Sequence, residues 1–199
     1  NRVWAISDES SKWLLVMKVI KTTIADLLII EPKVFGDERG CFFEAYHEKR
    51  YKENGIPYTF VQDNRSTSVK GVLRGLHFQK TKPQGKLVSV ISGQVLDIAV
   101  DLRPNSTTFG CHEAVLLSGE NHRQLFVPPG FAHGFTVISD VAEFNYKCTD
   151  YYDPNDEGGI IWNDPQLAID WKTITPSLSE KDQEQLTLAE YKLLSGIEG

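Results

Sequence analysis

No apolar stretch in this sequence runs beyond a few residues; Leu27 to Ile30 and Trp13 to Met17 are the longest. A bilayer-spanning helix needs about 20 such residues, and no signal-peptide pattern is present, so a membrane role is not expected. Cysteine is scarce as well. Cys41, Cys111 and Cys148 are odd in number and lack C-x-x-C spacing, which argues against a disulfide framework or a structural zinc site and for a reducing, cytoplasmic setting. Methionine occurs once, at Met17, and residues 1–16 before it have no clear period. We set them aside as a leader and place a single domain over residues 17–199. Positive charge is in deficit, 21 basic against 27 acidic side chains for a net charge of -6, which disfavours non-specific nucleic-acid binding. A local basic pocket for a phosphorylated small molecule remains open, with Arg39, Arg65, Lys70, Arg74, Lys82 and Lys86 as candidates.

Helical periodicity is also nearly missing. From Leu73 the chain reads as short strands, Lys86 to Ile91, Gln94 to Leu102, Glu113 to Leu117, Gln124 to Val127, Gly134 to Ser139 and Ala142 to Thr149. Turn signals such as Ser92-Gly93 and Pro128-Pro129-Gly130 separate them. Strands at this spacing, without amphipathic helices of about 12 residues between them, predict an all-β sandwich or small barrel. Before Leu73, the segment from Lys18 to Val34 reads as a strand pair, Cys41 to Tyr46 as an aromatic strand, Glu48 to Asn54 as a short polar helix and Phe60 to Asn64 as extended chain. A last short helix is expected near Ser179 to Leu186, with Ser179 and Asp182 forming part of its cap.

What is present is a cluster of unusual chemistry. Gly71 to Gln79 and the following Lys80 to Lys86 bring an imidazole, an arginine and several ammonium groups together in an acidic protein. Strict alternation places Leu73, Gly75, His77 and Gln79 on one face of a strand. Histidine is the side chain best suited to exchange protons near neutrality, although a single strand histidine is more often structural. Pro128 to Phe135 carries His133 in a Pro-x-Gly-x-x-His turn, for which a buried hairpin histidine is the plain alternative. Phe144, Tyr146 and Cys148 alternate onto one face; such alternation is usually core packing, but a phenol inside a barrel needs a polar partner and could serve a facing histidine as an acid.

The His77 and His133 segments together resemble the two halves of the cupin jelly-roll signature. Metal-binding cupins carry His-x-His and a later Glu in the first half, whereas this chain has His77-x-Gln79 and places Lys86 where the acidic ligand would be. An ammonium has no lone pair to offer and repels a cation, so no metal is expected. Seven blocks in order, two of them carrying His77 and His133, sharpen the resemblance: Phe35-Gly-Asp-Glu-Arg-Gly40, Phe60-Val-Gln-Asp-Asn64, Val72-Leu-Arg-Gly-Leu-His-Phe-Gln79, Gln84-Gly-Lys-Leu-Val88, Phe131-Ala-His-Gly-Phe135, Ile161-Trp-Asn-Asp-Pro165 and Leu178-Ser-Glu-Lys-Asp182. From about Lys18 to about Leu188 the chain is similar to the dTDP-4-dehydrorhamnose 3,5-epimerases, a metal-free branch of the cupins.

The resemblance implies a cupin-type β jelly roll with a few short peripheral helices, no cofactor, a dTDP-sugar substrate and a homodimer. It further implies His77 as general base paired with Asp182, Tyr146 as general acid and Lys86 as the residue at the enolate oxygen. Gln62, Asn64 and Arg74 would line the nucleotide-sugar site, His133 would border the sugar, and Phe35, Arg39 and Glu44 would come from the partner subunit. The residue types suit the chemistry: removing a proton beside a ketone needs a base, a donor at the developing oxyanion and an acid on the other face. Phe78 stands where many relatives have Tyr, and Cys111 stands where an aromatic or polar residue is usual. A single-centre epimerase or ketoisomerase, a metal-dependent oxygenase and a non-catalytic sugar-binding module are the competing readings.

Overall fold

The computed structural model describes residues 17–197, so the expected leader lies outside the described residues. The short alternating apolar segments form thirteen strands: β1 (Met17–Lys21), β2 (Leu28–Pro32), β3 (Phe35–Asp37), β4 (Gly40–Phe42), β5 (Gln62–Val69), β6 (Leu73–Gln79), β7 (Lys86–Ser92), β8 (Gln94–Asp101), β9 (His112–Ser118), β10 (Gln124–Val127), β11 (Phe131–Val137), β12 (Val141–Cys148) and β13 (Glu157–Gly159). Three short helices complete the described residues, α1 (Glu48–Glu53), α2 (Glu180–Gln183) and α3 (Leu188–Ser195). The strands build a six-stranded sheet in the order β1-β2-β10-β7-β12-β5 and a five-stranded sheet in the order β13-β6-β11-β8-β9, with β3-β4 as a separate hairpin. Every strand pairing is antiparallel. This is the expected all-β jelly roll.

Three apolar clusters order the layers. Val88, Leu125 and Phe144 from the six-stranded sheet meet Val95, Leu117 and Phe135 from the five-stranded sheet in the barrel interior. The outer face of the five-stranded sheet, with Leu73, Leu76 and Ile98, is covered by Ile160, Leu167, Trp171 and Leu188 from the C-terminal tail. The outer face of the other sheet, with Ile30, Leu87 and Phe126, is covered by Tyr51 and Ile56 around α1. Covered on both sides, β8 is buried from Val95 to Asp101, as a strand between two apolar layers must be.

Three local expectations are corrected. Strand pairing after Gly40 ends at Phe42, short of Tyr46, because the Ala45 carbonyl accepts instead from the Tyr51 hydroxyl at 3.0 Å and from Gln124 Nε2 at 2.7 Å. The single helix expected over Ser179 to Leu186 is a four-residue helix α2 followed by a separate α3. Leu186 between them bridges to Ile160, and Thr187 with Glu190 forms a capping box for α3.

The third correction concerns the strand carrying His77. His133 pairs with His77 but Phe135 pairs with Arg74, so three steps along β6 match two along β11. The extra residue reverses the alternation: Leu73 and Leu76 both pack into the outer layer, while Arg74 and His77 both line the interior cavity. Leu73 therefore does not share a face with His77. Gly75 permits the bulge. Its φ is +111°, and a Cβ there would lie 2.6 Å from Gly134 Cα and from the His133 carbonyl oxygen.

Candidate active site

Two adjoining cavities of about 270 and 280 Å³ open between the sheets and share His77, Lys86 and Tyr146. They form one cleft. Arg74, His133 and Asp182 line its first part, and Gln62, Asn64 and Gln79 its second. Five strands, β5, β6, β7, β11 and β12, and helix α2 supply these side chains, and the alternation along β5 and β12 turns Gln62, Asn64 and Tyr146 inward.

His77 Nε2 lies 2.6 Å from Asp182 Oδ1. Asp182 sits at the third position of α2 and is buried, with 3% exposure. Burial pushes its pKa up, but hydrogen bonds from His77 and Ser179 and the neighbouring imidazole outweigh that effect and lower it. An ionised carboxylate can only accept, so Nε2 carries the hydrogen, and in the neutral ring the lone pair is on Nδ1. That nitrogen is 4.0 Å from Glu157 Oε1. The other oxygen of Glu157 accepts from the Tyr152 hydroxyl at 2.8 Å and pairs with Lys181. Two carboxylates thus flank the imidazole, one bonded and one near.

Lys86 opens β7 and is half-buried; burial pushes its ammonium below the usual lysine range, opposed by the nearby Cys148, Asp97 and Glu157. No carboxylate comes within 4.0 Å of it among the described residues. An ammonium without a direct ion pair is free to meet charge that develops on a ligand. Tyr146, on the neighbouring β12, has its phenol pushed up chiefly by burial, which keeps it protonated. It packs against Phe144 with ring centroids 5.9 Å apart.

His133 Nε2 lies 2.9 and 3.0 Å from the two oxygens of the fully buried Asp97, and its ring stacks on Phe144. Both cleft histidines are therefore committed to carboxylates on one side. Among the described residues no group of three or more His, Cys, Asp or Glu is arranged to hold a metal ion.

Gln62 and Asn64 form a directional chain. The Tyr152 amide donates to Gln62 Oε1 at 2.9 Å, Gln62 Nε2 donates to Asn64 Oδ1 at 3.1 Å, and Asn64 Nδ2 donates to Cys148 Sγ at 3.6 Å. Since a backbone amide can only donate, the orientation of both side-chain amides follows.

Phe35, Arg39 and Glu44 are not brought to this cleft within one chain. Phe35 and Arg39 lie on the exposed β3-β4 hairpin, where Arg39 pairs with Asp37, and Glu44 accepts from Arg50 Nε at 2.8 Å. Conversely, Asp97, Tyr152, Glu157 and Lys181 enter the site without having been singled out as site residues. Tyr152 precedes and Glu157 follows the turn at residues 154–156, where there is no periodic signal, and Asp97 sits inside an apolar strand. Lys181, beside Asp182 in the Ser-Glu-Lys-Asp block, was the one with a readable signal.

Residues 21–190 match the sequence pattern of the dTDP-4-dehydrorhamnose 3,5-epimerase family. The chain is 54% identical over 177 residues to the dTDP-4-dehydrorhamnose 3,5-epimerase of Escherichia coli, covering 87% of this chain and 96% of that one. It is 45% identical to a dTDP-4-dehydrorhamnose 3-epimerase of Streptomyces niveus, covering 81% and 79%. A crystal structure of the dTDP-6-deoxy-D-glucose-3,5-epimerase of Legionella pneumophila in complex with dTDP-4-keto-L-rhamnose superposes with a TM-score of 0.85 at 56% identity, covering 87% of this chain and 93% of that one. By its matching sequence pattern and its relatives, this chain belongs to the dTDP-4-dehydrorhamnose 3,5-epimerase family.

Proposed function

We propose that this protein converts dTDP-4-dehydro-6-deoxy-D-glucose to dTDP-4-dehydro-L-rhamnose by inverting C3 and C5 in turn. The observation that carries the reading is the His77–Asp182 pair at 2.6 Å in one cleft with Lys86 and Tyr146. His77 Nδ1 takes the proton beside the C4 ketone; the C–H electrons move onto the carbonyl oxygen, and Lys86 donates to the resulting enolate. Asp182 holds the imidazole and offsets the charge it acquires. Tyr146 then delivers a proton to the opposite face as the enolate electrons return to carbon, and solvent restores both groups. A second round at the other carbon needs the sugar to shift, and no electrons leave the substrate.

Arg74, Gln62 and Asn64 are the proposed contacts to the nucleotide sugar, and His133 borders the sugar. The protein acts as a homodimer in this reading. Phe35, at 44% exposure, and Phe42, at 70%, would be covered by a second copy, whose cleft would receive Phe35, Arg39 and Glu44. Exposed aromatic side chains on a two-stranded hairpin support such docking. The three free cysteines support a cytoplasmic setting.

A single-centre reading is favoured by one observation, the 45% identity to a 3-epimerase. Incubating the purified protein with dTDP-4-dehydro-6-deoxy-D-glucose in deuterated water decides between them. Deuterium at both C3 and C5 with formation of the L-sugar is the expected result. Label at one carbon assigns a single-centre epimerase, and no label leaves a binding module.

A further inference from the structure

We propose that Ser179 is a positioning residue for the reaction: its hydroxyl, donating to Asp182 Oδ2, holds that carboxylate ionised and aimed at His77. The inference rests on the functional reading above but concerns a residue that makes no chemical step in it.

Asp182 divides its two oxygens. Oδ1 faces His77 Nε2 at 2.6 Å and accepts from the Gly75 amide at 3.4 Å, while Oδ2 accepts from Ser179 Oγ at 2.7 Å. The Ser179 oxygen also accepts from the Asp182 amide at 3.2 Å, as an N-cap does. One hydroxyl therefore performs two tasks, capping α2 and clamping the carboxylate. The second task is what the chemistry needs. A carboxylate with one oxygen bonded can rotate about its Cα–Cβ and Cβ–Cγ bonds; with both oxygens held, the lone pair facing His77 is fixed. A hydrogen bond to the charged form also favours that form, which matters because Asp182 is buried.

Other groups around the pair do not replace Ser179. Glu157 on β13 faces the opposite nitrogen of His77 and is engaged by Lys181 and Tyr152. Arg74 on β6 donates through Nε to Ser68 at 3.2 Å, and Lys181 on α2 turns to Glu157. Among the described residues only Ser179 donates to Asp182 Oδ2 within hydrogen-bond distance.

The two tasks separate by substitution. Ser179→Thr keeps cap and clamp. Ser179→Asp keeps an oxygen for the Asp182 amide but supplies no donor and sets a negative charge beside the carboxylate. Ser179→Ala loses both. The measurements are kcat and KM for the nucleotide sugar, the pH profile of kcat, thermal melting, and the proton resonance of the His77 Nε2–H bonded to Asp182. We expect the Ala and Asp proteins to lose roughly ten- to a hundredfold in kcat, the worth of one hydrogen bond to a charged group, with KM within a few-fold of the parent. Their acid limb should move to higher pH, since Asp182 then protonates more readily, and the Nε2 resonance should shift or broaden. The Thr protein should recover on every readout. Full kcat in the Asp protein overturns the proposal and leaves Ser179 as a cap, as would losses that follow only the melting temperature. A raised KM with unchanged kcat overturns it in favour of a substrate contact. If the parent protein neither exchanges nor inverts, the functional reading fails by itself, and the Nε2 resonance in the three variants still decides whether Ser179 holds the pair.

Discussion

His77 and His133 lie directly opposite each other on β6 and β11, yet each imidazole is tied through Nε2 to a different carboxylate, Asp182 from the C-terminal tail and Asp97 from inside the barrel. The two rings are neighbours in the ladder and differ in access. His133 is 7% exposed and stacked on Phe144, whereas the His77 side chain is 25% exposed and borders both parts of the cleft. His77 combines a held ring with a lone-pair nitrogen that faces the cleft, which supports the proposal of His77 as base and of a bordering role for His133.

Replacing Tyr146 by Phe should separate exchange from inversion. In the proposed mechanism the base and the enolate-stabilising ammonium remain, so His77 can return a solvent-derived deuteron to the original face while the opposite face receives none. Nuclear magnetic resonance in deuterated water should find label at C3 or C5 with retained configuration and little L-sugar. Parallel loss of both would remove Tyr146 from the mechanism. His77→Asn, which prevents the enolate from forming, should abolish both.

Lys86 should set the alkaline limb of the rate profile. Burial lowers its pKa and raises that of Tyr146, so as pH rises the ammonium is lost first, and with it the donor to the enolate. Activity should fall at a pH below the usual lysine range. Lys86→Ala should lower kcat on the order of 10²-fold with a small change in KM, and Lys86→Arg, always charged, should remove the alkaline limb from whatever activity remains. A limb unchanged in the Arg protein would assign it to another group.

Gly75→Ala is expected to destabilise by about 2–4 kcal/mol, since the methyl would overlap Gly134 Cα and the His133 carbonyl at 2.6 Å in a backbone conformation that side chains avoid. Gly71→Ala is the control. Its φ of +80° is unfavourable too, but nothing lies within 4 Å of the added Cβ, so about 1 kcal/mol is expected. Urea unfolding measures both. Equal costs would mean that the bulge does not depend on close approach of the two backbones.

Asp101 should dominate part of the acid unfolding. It is fully buried; burial pushes its pKa up, but hydrogen bonds from Arg103, Ser106 and Thr108 bring it down to about 2. A depressed carboxylate contributes stability above its unfolded pKa and loses it as pH falls through the folded value, here from about 4 towards 2, to the extent of about 2 kcal/mol. Asp101→Asn should be less stable at pH 7 and should show a flatter fall over that window in denaturant titrations. An unchanged slope would place the acid sensitivity elsewhere.

Much of this protein was determined by local sequence. Two-residue alternation, turn residues and the lack of amphipathic helices are enough for an all-β fold, and β10 ends where its sequence pattern ends, at Gln124 and Val127. The motif blocks also named His77, Lys86 and Asp182, and the resemblance along the alternating strand named Tyr146; the fold gathers all four into one cleft. Tertiary structure decided which faces those residues occupy. Strict alternation misplaces Leu73 relative to His77, because the bulge at Gly75 depends on a strand distant in sequence, whose Gly134 leaves room for the approach. It also brought Asp97 to His133 and Glu157 to His77. Neither carboxylate carries a local signal, since the partner that gives it meaning lies 36 residues away in one case and on another strand of the sheet in the other. Periodicity records which side of a strand meets the core; which charged groups meet inside the barrel depends on how the strands close around it.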